Sequence, residues 1–389
     1  VITEQKGYTM RFFPSKIRHD SGLLAAVLFV ALTTNCVHAN AETWHNIIVP
    51  EFGDADVMQW TQHNILPEPE AGEVRIRVLA ASASFTDIMI RKGLYAELAE
   101  EPPFVPGYDL VGIVDKVGEG VTRVRPGDRV ADLTVWGAYT EYAIRPETHL
   151  VAVPEGLDAG EAVALILSYT TAYQLLYRAA DLKPGQKILV HGASGAVGTA
   201  LTQLAVLNDI TVYGTASTKK QDYVAALGAT PIDYSAQDFV AVVDAATQGE
   251  GVDAAFDAIS LDNFRRSYQV LDDQGKLVTY GLYNAAMSST AGESWGIISE
   301  FLSFQWQKLM WTWFGDAEKE VSFYSITGMR SDHPDWFAQD LAALFDLLKK
   351  GEIKAAIWRR IPLKDAADAH KLIESRAVKG KIVLMTSPD

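Results

Sequence analysis

A glycine-rich segment near the middle of the chain limits its possible folds more than any other feature. The apolar run Ile188–Val190 has the pattern of a buried strand, and it leads into Gly192-Ala193-Ser194-Gly195-Ala196-Val197-Gly198. Apolar residues then continue at helical spacing to Leu207. Glycines let the backbone approach a pyrophosphate, whose oxygens accept hydrogen bonds from amides at the helix start. The segment predicts the phosphate-binding loop of a dinucleotide-binding domain; a tight structural turn is the alternative.

The end of the next predicted strand distinguishes between the two nicotinamide cofactors. An NAD site has Asp or Glu there, which accepts a hydrogen bond from the ribose 2′-hydroxyl. After the strand that begins at Ile210, this sequence has Ser217, Lys219 and Lys220 instead. These side chains are donors for a 2′-phosphate. The pattern predicts NADPH as the cofactor, and the alternative is that both lysines are solvated charges at a helix start.

The residue pattern changes near Ala162. From Glu73 up to that point, short Val-rich runs are separated by Gly and Pro, which is typical of an all-β barrel or sandwich. Beyond it, short buried strands such as Ala254–Asp257 alternate with helical stretches, which predicts a parallel, doubly wound sheet. The predicted fold class is therefore α/β, and 389 residues suit two domains.

The charge balance excludes several classes of partner and site. The chain has 34 Lys and Arg against 49 Asp and Glu, a formal net charge of −15. Such a surface repels phosphate backbones and anionic lipids, so we expect no nucleic-acid partner. The single cysteine, Cys36, excludes a disulfide framework and multi-cysteine metal sites.

The first 41 residues have the layout of a secretory signal peptide. A basic stretch, Met10–Arg18, precedes the apolar run Gly22–Leu32, and Ala39-Asn40-Ala41 supplies small residues two apart. The apolar run is shorter than the roughly 18–20 residues that cross a bilayer, so we expect no stable membrane insertion. The pattern predicts an exported, periplasmic protein, with a cytoplasmic location as the alternative if the leader is not functional.

Several motifs in order along the chain resemble one enzyme family. Pro106-Gly107-Tyr108-Asp109 is followed by Gly118-Glu119-Gly120, by Gly127-Asp128-Arg129-Val130 and, after the glycine loop, by Ile232-Asp233-Tyr234. These motifs resemble the medium-chain dehydrogenase/reductase superfamily, in particular its zinc-free quinone oxidoreductase branch and the vesicle amine transport protein-like members. The resemblance implies a homodimer. It also implies a GroES-like β-barrel over 42–163, a Rossmann domain over 164–330 and a return to the barrel over 331–389.

The residues that stand at the family's zinc site argue against a metal. Relatives that bind zinc use Cys and a Gly-His-Glu segment, whereas this chain has Gly107-Tyr108-Asp109 at the matching place. Tyrosine and one carboxylate do not form a tetrahedral nitrogen and sulfur site. Alcohol oxidation without a Lewis acid lacks a means of stabilising the alkoxide. We therefore expect no metal and a reaction in the reductive direction, toward an electrophilic acceptor.

The resemblance also assigns residues around the nicotinamide. Ser84, Asp87 and Tyr95 match the segment that lines the substrate cleft, although many relatives have Asn where this chain has Ser84. Tyr95 matches the proton-donating tyrosine of 2-enoyl thioester reductases, and either its phenol or water supplies the proton. Asp87 is expected to be a structural acceptor. The resemblance and the position after predicted strands indicate further cofactor contacts at Thr171, Tyr234, Gly281, Leu282 and Tyr324.

Seven aromatic residues lie between Trp295 and Phe314, within a segment, 289–320, that we interpret as an insertion. The favoured interpretation is a buried helix or a dimer contact. A lid over an apolar acceptor is the second interpretation. A membrane-surface contact is the third, because Lys308 is the only basic residue in this stretch.

These observations predict an NADPH-dependent, zinc-independent oxidoreductase. Its substrates would be small apolar quinones or α,β-unsaturated carbonyls, which accept a hydride without metal assistance. One alternative is a 2-enoyl thioester reductase. Another, from a different class, is a non-catalytic interaction protein that binds the dinucleotide and transfers no hydride.

Overall fold

The computed structural model describes residues 43–95, 101–315 and 318–386. The predicted signal peptide lies outside the described residues. The strands in the described part of the chain are β1 Trp44–Ile48, β2 Gln59–His63, β3 Glu73–Ala83, β4 Leu110–Val117, β5 Arg129–Asp132, β6 Tyr142–Pro146, β7 Val151–Ala152, β8 Lys187–Val190, β9 Thr211–Ala216, β10 Thr230–Asp233, β11 Val252–Asp257, β12 Leu271–Thr279, β13 Glu320–Phe323, β14 Ile357–Pro362 and β15 Lys381–Met385.

Helices connect these strands and cover the sheets. The α-helices are α1 Phe85–Arg91, α2 Ala159–Ile166, α3 Ser168–Gln174, α4 Ala196–Leu207, α5 Gln221–Ala226, α6 Phe239–Thr247, α7 Leu261–Gln269, α8 Tyr283–Ser288, α9 Trp295–Phe314, α10 Ile326–Asp332, α11 Pro334–Lys350 and α12 Ala366–Glu374. Single 3₁₀ turns lie at Ala55–Val57, Glu147–His149, Thr218–Lys220 and Leu363–Asp365, and a π-helical turn at Leu175–Ala179 follows α3. Among the described residues, no helix has the length and apolar character of a membrane span.

One sheet has six strands in the order β10-β9-β8-β11-β12-β13, and every neighbouring pair is parallel. The chain leaves β8 toward β9 on one side, and β11 lies on the other side of β8. The strand order therefore reverses at β8, and ligands of such sheets bind outside the carboxyl ends of the strands at this point. The predicted α/β class with a doubly wound parallel sheet is confirmed.

The other large sheet has the order β14-β15-β3-β4-β5-β7, with β6 also paired to β3. Its long central strand β3 pairs antiparallel with β15, which places Ile382 opposite Ala83 and Met385 opposite Ala80. Strand β15, near the end of the chain, therefore completes this sheet. Except for β14, the other strands of the sheet come from the first half of the chain. Helix α2 packs on this sheet, and its buried Val163 and Ile166 belong to the same core as Val111 of β4.

The aromatic segment forms helix α9, but this helix is not buried within the chain. Of its 20 residues, Ile297 and Phe304 are buried, whereas Trp295 is 73% and Phe314 76% exposed. The interpretation as a buried helix is therefore wrong for the single chain. The cause is that the described part of the chain covers only one side of α9.

Candidate active site

The glycine-rich loop has the geometry of an anion-binding turn. All seven residues of the predicted loop, 192–198, lie between the end of β8 and the first turn of α4, with Gly195 at the helix N-cap. Gly192 has φ +63°, and a Cβ on Gly198 would lie 2.3 Å from the carbonyl oxygen of Gly192. The amides of the first helical turn have no acceptor within the helix. The loop therefore offers a close backbone approach and free donors, which fit a dinucleotide pyrophosphate.

A buried polar network supports this loop from below. His191 contacts Thr215 Oγ1 through Nδ1 at 3.1 Å and Ser267 Oγ through Nε2 at 3.0 Å. Ser267 donates to Asp257 Oδ2 at 2.7 Å, and Thr215 Oγ1 accepts from the Gly192 amide. Burial lowers the pKa of His191. We conclude that His191 is a neutral structural residue that connects the loop to the neighbouring strands.

The residues predicted to bind the 2′-phosphate lie beside a segment from the end of the chain. Lys220 is half-buried, and its Nζ donates to the Val378 carbonyl oxygen at 2.6 Å. Burial lowers the pKa of Lys220, and the charge of Lys379 lowers it further. Lys379 itself lies with Nζ 5.7 Å from the ring centroid of Tyr223. Lys219 is exposed and Ser217 partly buried, so this corner combines three lysines and a hydroxyl.

The segment before β15 closes one edge of the same region. The Gly380 amide donates to the Ser194 carbonyl oxygen at 3.0 Å, and Gly380 and Gly195 form a parallel bridge. Gly380 has φ +76°, and a Cβ there would lie 2.2 Å from the Ala356 carbonyl oxygen. Arg376 places its guanidinium 5.3 Å from the ring centroid of Tyr283. Residues 376–380 therefore line the predicted cofactor site.

Sequence reasoning missed Arg376, Lys379 and Lys381. They lie far along the chain from the glycine loop, and no local motif marks their distance from it. A usable signal was present, because Arg376-Ala377-Val378-Lys379-Gly380-Lys381 concentrates three cations within an acidic chain. Such a cluster indicates an anion-binding or ion-paired segment.

Two of the predicted nicotinamide contacts lie together. Thr171 is buried on α3, and its hydroxyl lies beside Tyr324, which follows β13. The Tyr324 hydroxyl donates to Gln174 Oε1 at 2.8 Å, and Gln174 Nε2 donates to Asp340 Oδ2 at 3.0 Å. Burial raises the pKa of Tyr324. This chain of hydrogen bonds holds Tyr324 against α3 in a neutral state.

The other predicted cofactor contacts follow the carboxyl ends of neighbouring strands. Gly281 and Leu282 follow β12, and Leu282 is buried in the core. Tyr234 follows β10 and is 55% exposed. Tyr283 packs with its ring centroid 4.6 Å from that of Phe85 on α1. These residues lie along the edge where a dinucleotide binds in such a sheet.

Ser84 and Asp87 form a capping box at the start of α1. The Ser84 amide and hydroxyl both donate to Asp87 Oδ2, at 2.8 and 2.6 Å, and the Asp87 amide donates back to Ser84 Oγ. Asp87 is fully buried, and burial raises its pKa to about 7. The hydroxyl of Ser84 therefore lies between the predicted substrate cleft and a carboxyl group that titrates near neutral pH.

A second buried carboxyl group and one buried lysine lie close to Asp87. Asp109 accepts hydrogen bonds from the amide and the hydroxyl of Ser82, and burial raises its pKa. Lys381 is 3% exposed, donates from Nζ to Ser168 Oγ at 3.3 Å, and lowers the pKa of both aspartates by its charge. Among the described residues, Asp87 Oδ1 and Asp109 Oδ2 are buried without a hydrogen bond.

The hydroxyls of Tyr95 and Tyr108 are 2.7 Å apart, and either oxygen can be the donor. Tyr108 is buried, whereas Tyr95 is partly exposed. The pair therefore joins the predicted proton donor to the tyrosine at the family's metal-ligand position. Within residues 43–95, 101–315 and 318–386, no group of three His, Cys, Asp or Glu side chains is placed to hold a metal ion.

Comparison with known proteins shows which families and proteins this chain resembles. A family model described as alcohol dehydrogenase GroES-like domain matches residues 70–155, and one described as zinc-binding dehydrogenase matches residues 227–384. The chain is 32% identical to the synaptic vesicle membrane protein VAT-1 homolog of Danio rerio, over 89% of this chain and 71% of that protein. It is 31% identical to a 2-haloacrylate reductase of Burkholderia, over 87% of this chain and 98% of that enzyme.

A solved structure supports the same likeness. The structure of Escherichia coli quinone oxidoreductase in complex with NADPH superposes with a TM-score of 0.75 at 27% sequence identity. The match covers 88% of this chain and 99% of that enzyme.

Proposed function

The chain belongs to the quinone oxidoreductase branch of the medium-chain dehydrogenase/reductase superfamily, and on that premise we propose that it transfers hydride from NADPH to quinones or α,β-unsaturated carbonyls without a metal. The superfamily and the GroES-like and Rossmann fold class expected from the motifs are confirmed. The observation that carries the proposal is the glycine loop with three lysines beside the adjacent strand end.

The preference for NADPH rests on the electrostatics of that corner. A 2′-phosphate placed near Ser217 would meet Lys219, Lys220 and Lys379 rather than a carboxylate. Cations and hydroxyls form charge-assisted hydrogen bonds with phosphate oxygens. Bound NADPH would supply the hydride, which is the chemistry that a nicotinamide cofactor brings to such a site.

The chain's own residues offer two routes for the proton. Hydride addition to an enone leaves an enolate, whose α-carbon must accept a proton. Tyr95 is partly exposed, so a proton lost from its hydroxyl can be replaced from solvent, and the Tyr108 hydroxyl can donate a hydrogen bond to the phenolate meanwhile. Ser84 backed by Asp87 is the second donor, because Asp87 can hold a proton near neutral pH.

Independence from zinc is proposed from the donor groups present. At the family's ligand position, the Tyr108 hydroxyl contacts Tyr95 and the Asp109 carboxylate accepts from Ser82. A zinc site prefers thiolate and imidazole ligands in tetrahedral arrangement. Neither group is a thiolate or an imidazole, and the Tyr108 hydroxyl and Asp109 Oδ1 are engaged with other residues.

The proposal is tested by assay of the purified full chain. NADPH is mixed with phenanthrenequinone and with a panel of enones, and loss of the absorbance of reduced nicotinamide is followed. We expect turnover that survives dialysis against a chelator, in a protein without stoichiometric zinc. NADPH binding without turnover of any acceptor would favour the non-catalytic alternative, and a stoichiometric zinc content would contradict the proposed mechanism.

A matched pair of variants distinguishes the acceptor classes. If the protein is a 2-enoyl thioester reductase, Tyr95→Phe lowers enone reduction far more than quinone reduction, because quinone reduction has little need of a placed acid. Tyr177→Phe is the control, since the Tyr177 hydroxyl contacts Asn208 and the Leu204 carbonyl on α4 rather than the cleft. Equal loss of both activities in Tyr95→Phe would contradict a role as the proton donor.

A further inference from the structure

A chain of buried hydrogen bonds ends at Tyr139, and neither proton route of the proposed function uses it. Arg91 at the end of α1, His370 on α12 and Tyr139 are all fully buried. Arg91 Nη1 lies 3.1 Å from His370 Nδ1, and Arg91 Nη2 donates to Glu374 Oε1 at 2.6 Å. His370 Nε2 lies 3.1 Å from the Tyr139 hydroxyl oxygen. The chain therefore runs from Glu374, which is partly exposed, to the buried hydroxyl of Tyr139.

Arg91 determines which nitrogen of His370 carries the proton. A guanidinium donates hydrogen bonds and accepts none, so His370 Nδ1 is the acceptor in this contact. Burial lowers the pKa of His370 well below its usual value, and the charge of Arg91 lowers it further. The neutral ring therefore carries its single proton on Nε2, and this N–H donates to the Tyr139 oxygen.

The Tyr139 hydroxyl then has its own proton left for a second acceptor. The hydroxyl oxygen lies 3.4 Å from the Ser82 carbonyl oxygen, whereas O–H···O hydrogen bonds are usually about 2.7–2.8 Å long. The contact with Ser82 is therefore weak. A carboxylate is a stronger acceptor than a carbonyl, because a hydrogen bond to an ionised group is shorter and roughly twice as strong.

Asp87 is the carboxyl group that competes for this proton. Burial raises the pKa of Tyr139, and the charges of Asp87 and then of Asp109 raise it further, so Asp87 has the larger influence of the two on this hydroxyl. Asp87 Oδ2 accepts from the amide and the hydroxyl of Ser84, whereas Asp87 Oδ1 is buried without a hydrogen bond. When Asp87 ionises, a buried charge is left with one oxygen unpaired unless a donor turns toward it. The Tyr139 hydroxyl is a donor that can turn.

Three further charged groups act on Asp87 and Tyr139. Burial raises the pKa of Asp87 to about 7, Lys381 on β15 lowers it, and Asp109, which precedes β4, raises it. Arg91 lowers the pKa of Tyr139 against the larger effect of burial. Because burial also raises the pKa of Asp109, a test of Asp87 must compare chains that differ at that residue alone.

We propose that Tyr139 is a positioning residue for the proton route through Asp87 and Ser84. Its hydroxyl turns from the Ser82 carbonyl to Asp87 Oδ1 when Asp87 loses its proton, and turns back when Asp87 regains it. The catalytic part rests on the proposed function. After hydride addition, the α-carbon of the enolate takes the Ser84 hydroxyl proton, Ser84 takes the proton of Asp87, and Asp87 becomes a carboxylate. A proton from solvent later returns to Asp87 through Ser84.

The test measures the pKa of Asp87 in the folded protein with and without the Tyr139 hydroxyl. The free energy of unfolding in urea is measured against pH for each chain and for the same chain carrying Asp87→Asn. The difference between the two changes with pH up to the folded pKa of Asp87, about 7 in wild type. A hydrogen bond to a carboxylate lowers its pKa. Tyr139→Phe should therefore raise this pH limit by about one to two pH units, the effect of one hydrogen bond to a charged group.

Tyr177→Phe is the matched control, because it removes the hydroxyl of a tyrosine that contacts Asn208 and the Leu204 carbonyl on α4. We expect its pH limit to equal that of wild type. If Tyr139→Phe does not fold, 3-fluorotyrosine in place of Tyr139 keeps the proposal falsifiable. Fluorine makes the phenol a stronger donor, so the pH limit should then fall. An unshifted limit in the folded variant, or an equal shift in Tyr177→Phe, would overturn the proposal.

Enone reduction provides the catalytic readout. We expect its kcat to fall as the pH rises through the pKa of Asp87, and this fall to move to higher pH in Tyr139→Phe with KM little changed. The pH dependence of quinone reduction should not move, because quinone reduction has little need of a placed acid. A shifted stability limit with an unmoved enone profile would contradict the positioning role. The unfolding measurement needs no substrate, so a wild-type chain without turnover would contradict the proposed function, whereas an unshifted limit would contradict the role of Tyr139.

Discussion

Buried polar groups differ in their hydrogen bonding between the two sides of the predicted active site. Below the phosphate loop, His191 is bonded through both ring nitrogens, and Asp257 accepts hydrogen bonds from Ser267, Asn263 and the Ile259 amide. On the substrate side, Asp87 and Asp109 each keep a buried oxygen without a hydrogen bond among the described residues, and Lys381 is the buried cation that lowers the pKa of both.

This difference in hydrogen bonding has a different consequence on each side. A fully hydrogen-bonded network holds backbone amides in fixed positions. Asp87, whose pKa burial raises to about 7, can gain or lose a proton near neutral pH. The network below the phosphate loop is therefore a scaffold, whereas Asp87 on the other side can respond to pH.

The largest effect is expected from removing Lys381, the buried cation whose charge lowers the pKa of both aspartates. Lys381→Met leaves two buried carboxyl groups without a compensating charge, and we expect the free energy of unfolding in urea to fall by about 3–5 kcal/mol. The loss should be larger at pH 8 than at pH 5, because Asp87, with a pKa of about 7, is protonated at the lower pH and then needs no compensating charge. Lys187→Met, which removes a surface pair with Glu250, is the control and should change stability little. An equal loss of free energy of unfolding in both variants would contradict a special role of Lys381 beside the buried carboxyl groups.

The next effect is the pH dependence that Asp87 contributes. Its folded pKa of about 7 lies above the unfolded value near 3.8, so the folded state binds the proton more tightly. This contribution is fully present below about pH 4 and is lost as the pH rises through 7. Relative to wild type, Asp87→Asn should therefore gain about 3–4 kcal/mol in free energy of unfolding between pH 4 and pH 8.

The control for this pH dependence is Asp181→Asn, measured by the same urea titrations. Asp181 is exposed, and its hydrogen bond to Lys183 lowers its pKa. Its substitution should produce no relative gain as the pH rises. A flat difference between wild type and Asp87→Asn would show that Asp87 is not protonated at neutral pH in the folded protein.

The smallest effect concerns the cofactor side. Lys379→Ala should weaken NADPH binding roughly three- to tenfold and leave NADH binding nearly unchanged, because a lysine near the 2′-phosphate adds one charge-assisted contact. Lys371→Ala is the matched control, since Lys371 pairs with Asp56. Calorimetry with both cofactors provides the measurement. Identical losses for NADPH and NADH would place Lys379 away from the 2′-phosphate.

The difference between the phosphate loop and the predicted substrate side also explains how much of the site could be predicted from the sequence. The glycine loop was predictable because its strand, turn and helix are contiguous in the sequence. In the structure the helix begins at Ala196. The end of β9 was predictable for the same reason. The substrate side joins Ser82, Asp109, Ser168 and Lys381 from four separate segments, and pairing of β15 with β3 brings the last of them there. No local pattern encodes that pairing.

Helix α9 shows a second limit on what could be predicted from the sequence. The composition of 295–314 correctly indicated a continuous apolar helix, but burial depends on what the rest of the chain places beside it. Only the contacts of Phe301, Phe304 and Trp311 show which side is covered. The buried-helix part of the favoured interpretation is wrong, and the dimer-contact part stays a prediction, because apolar content alone does not distinguish a core from an interface.

The pairing of β15 with β3 also has a consequence for synthesis on the ribosome. Strand β3 can pair with β4 and β6 early, but its other edge must wait until residues 381–385 have emerged, some 300 residues later. Contacts so distant along the chain form slowly, and an open strand edge invites pairing with other chains in the meantime. A nascent chain stalled before Lys381 would therefore expose this edge, and the same missing residues would deprive the phosphate loop of its Gly380 partner.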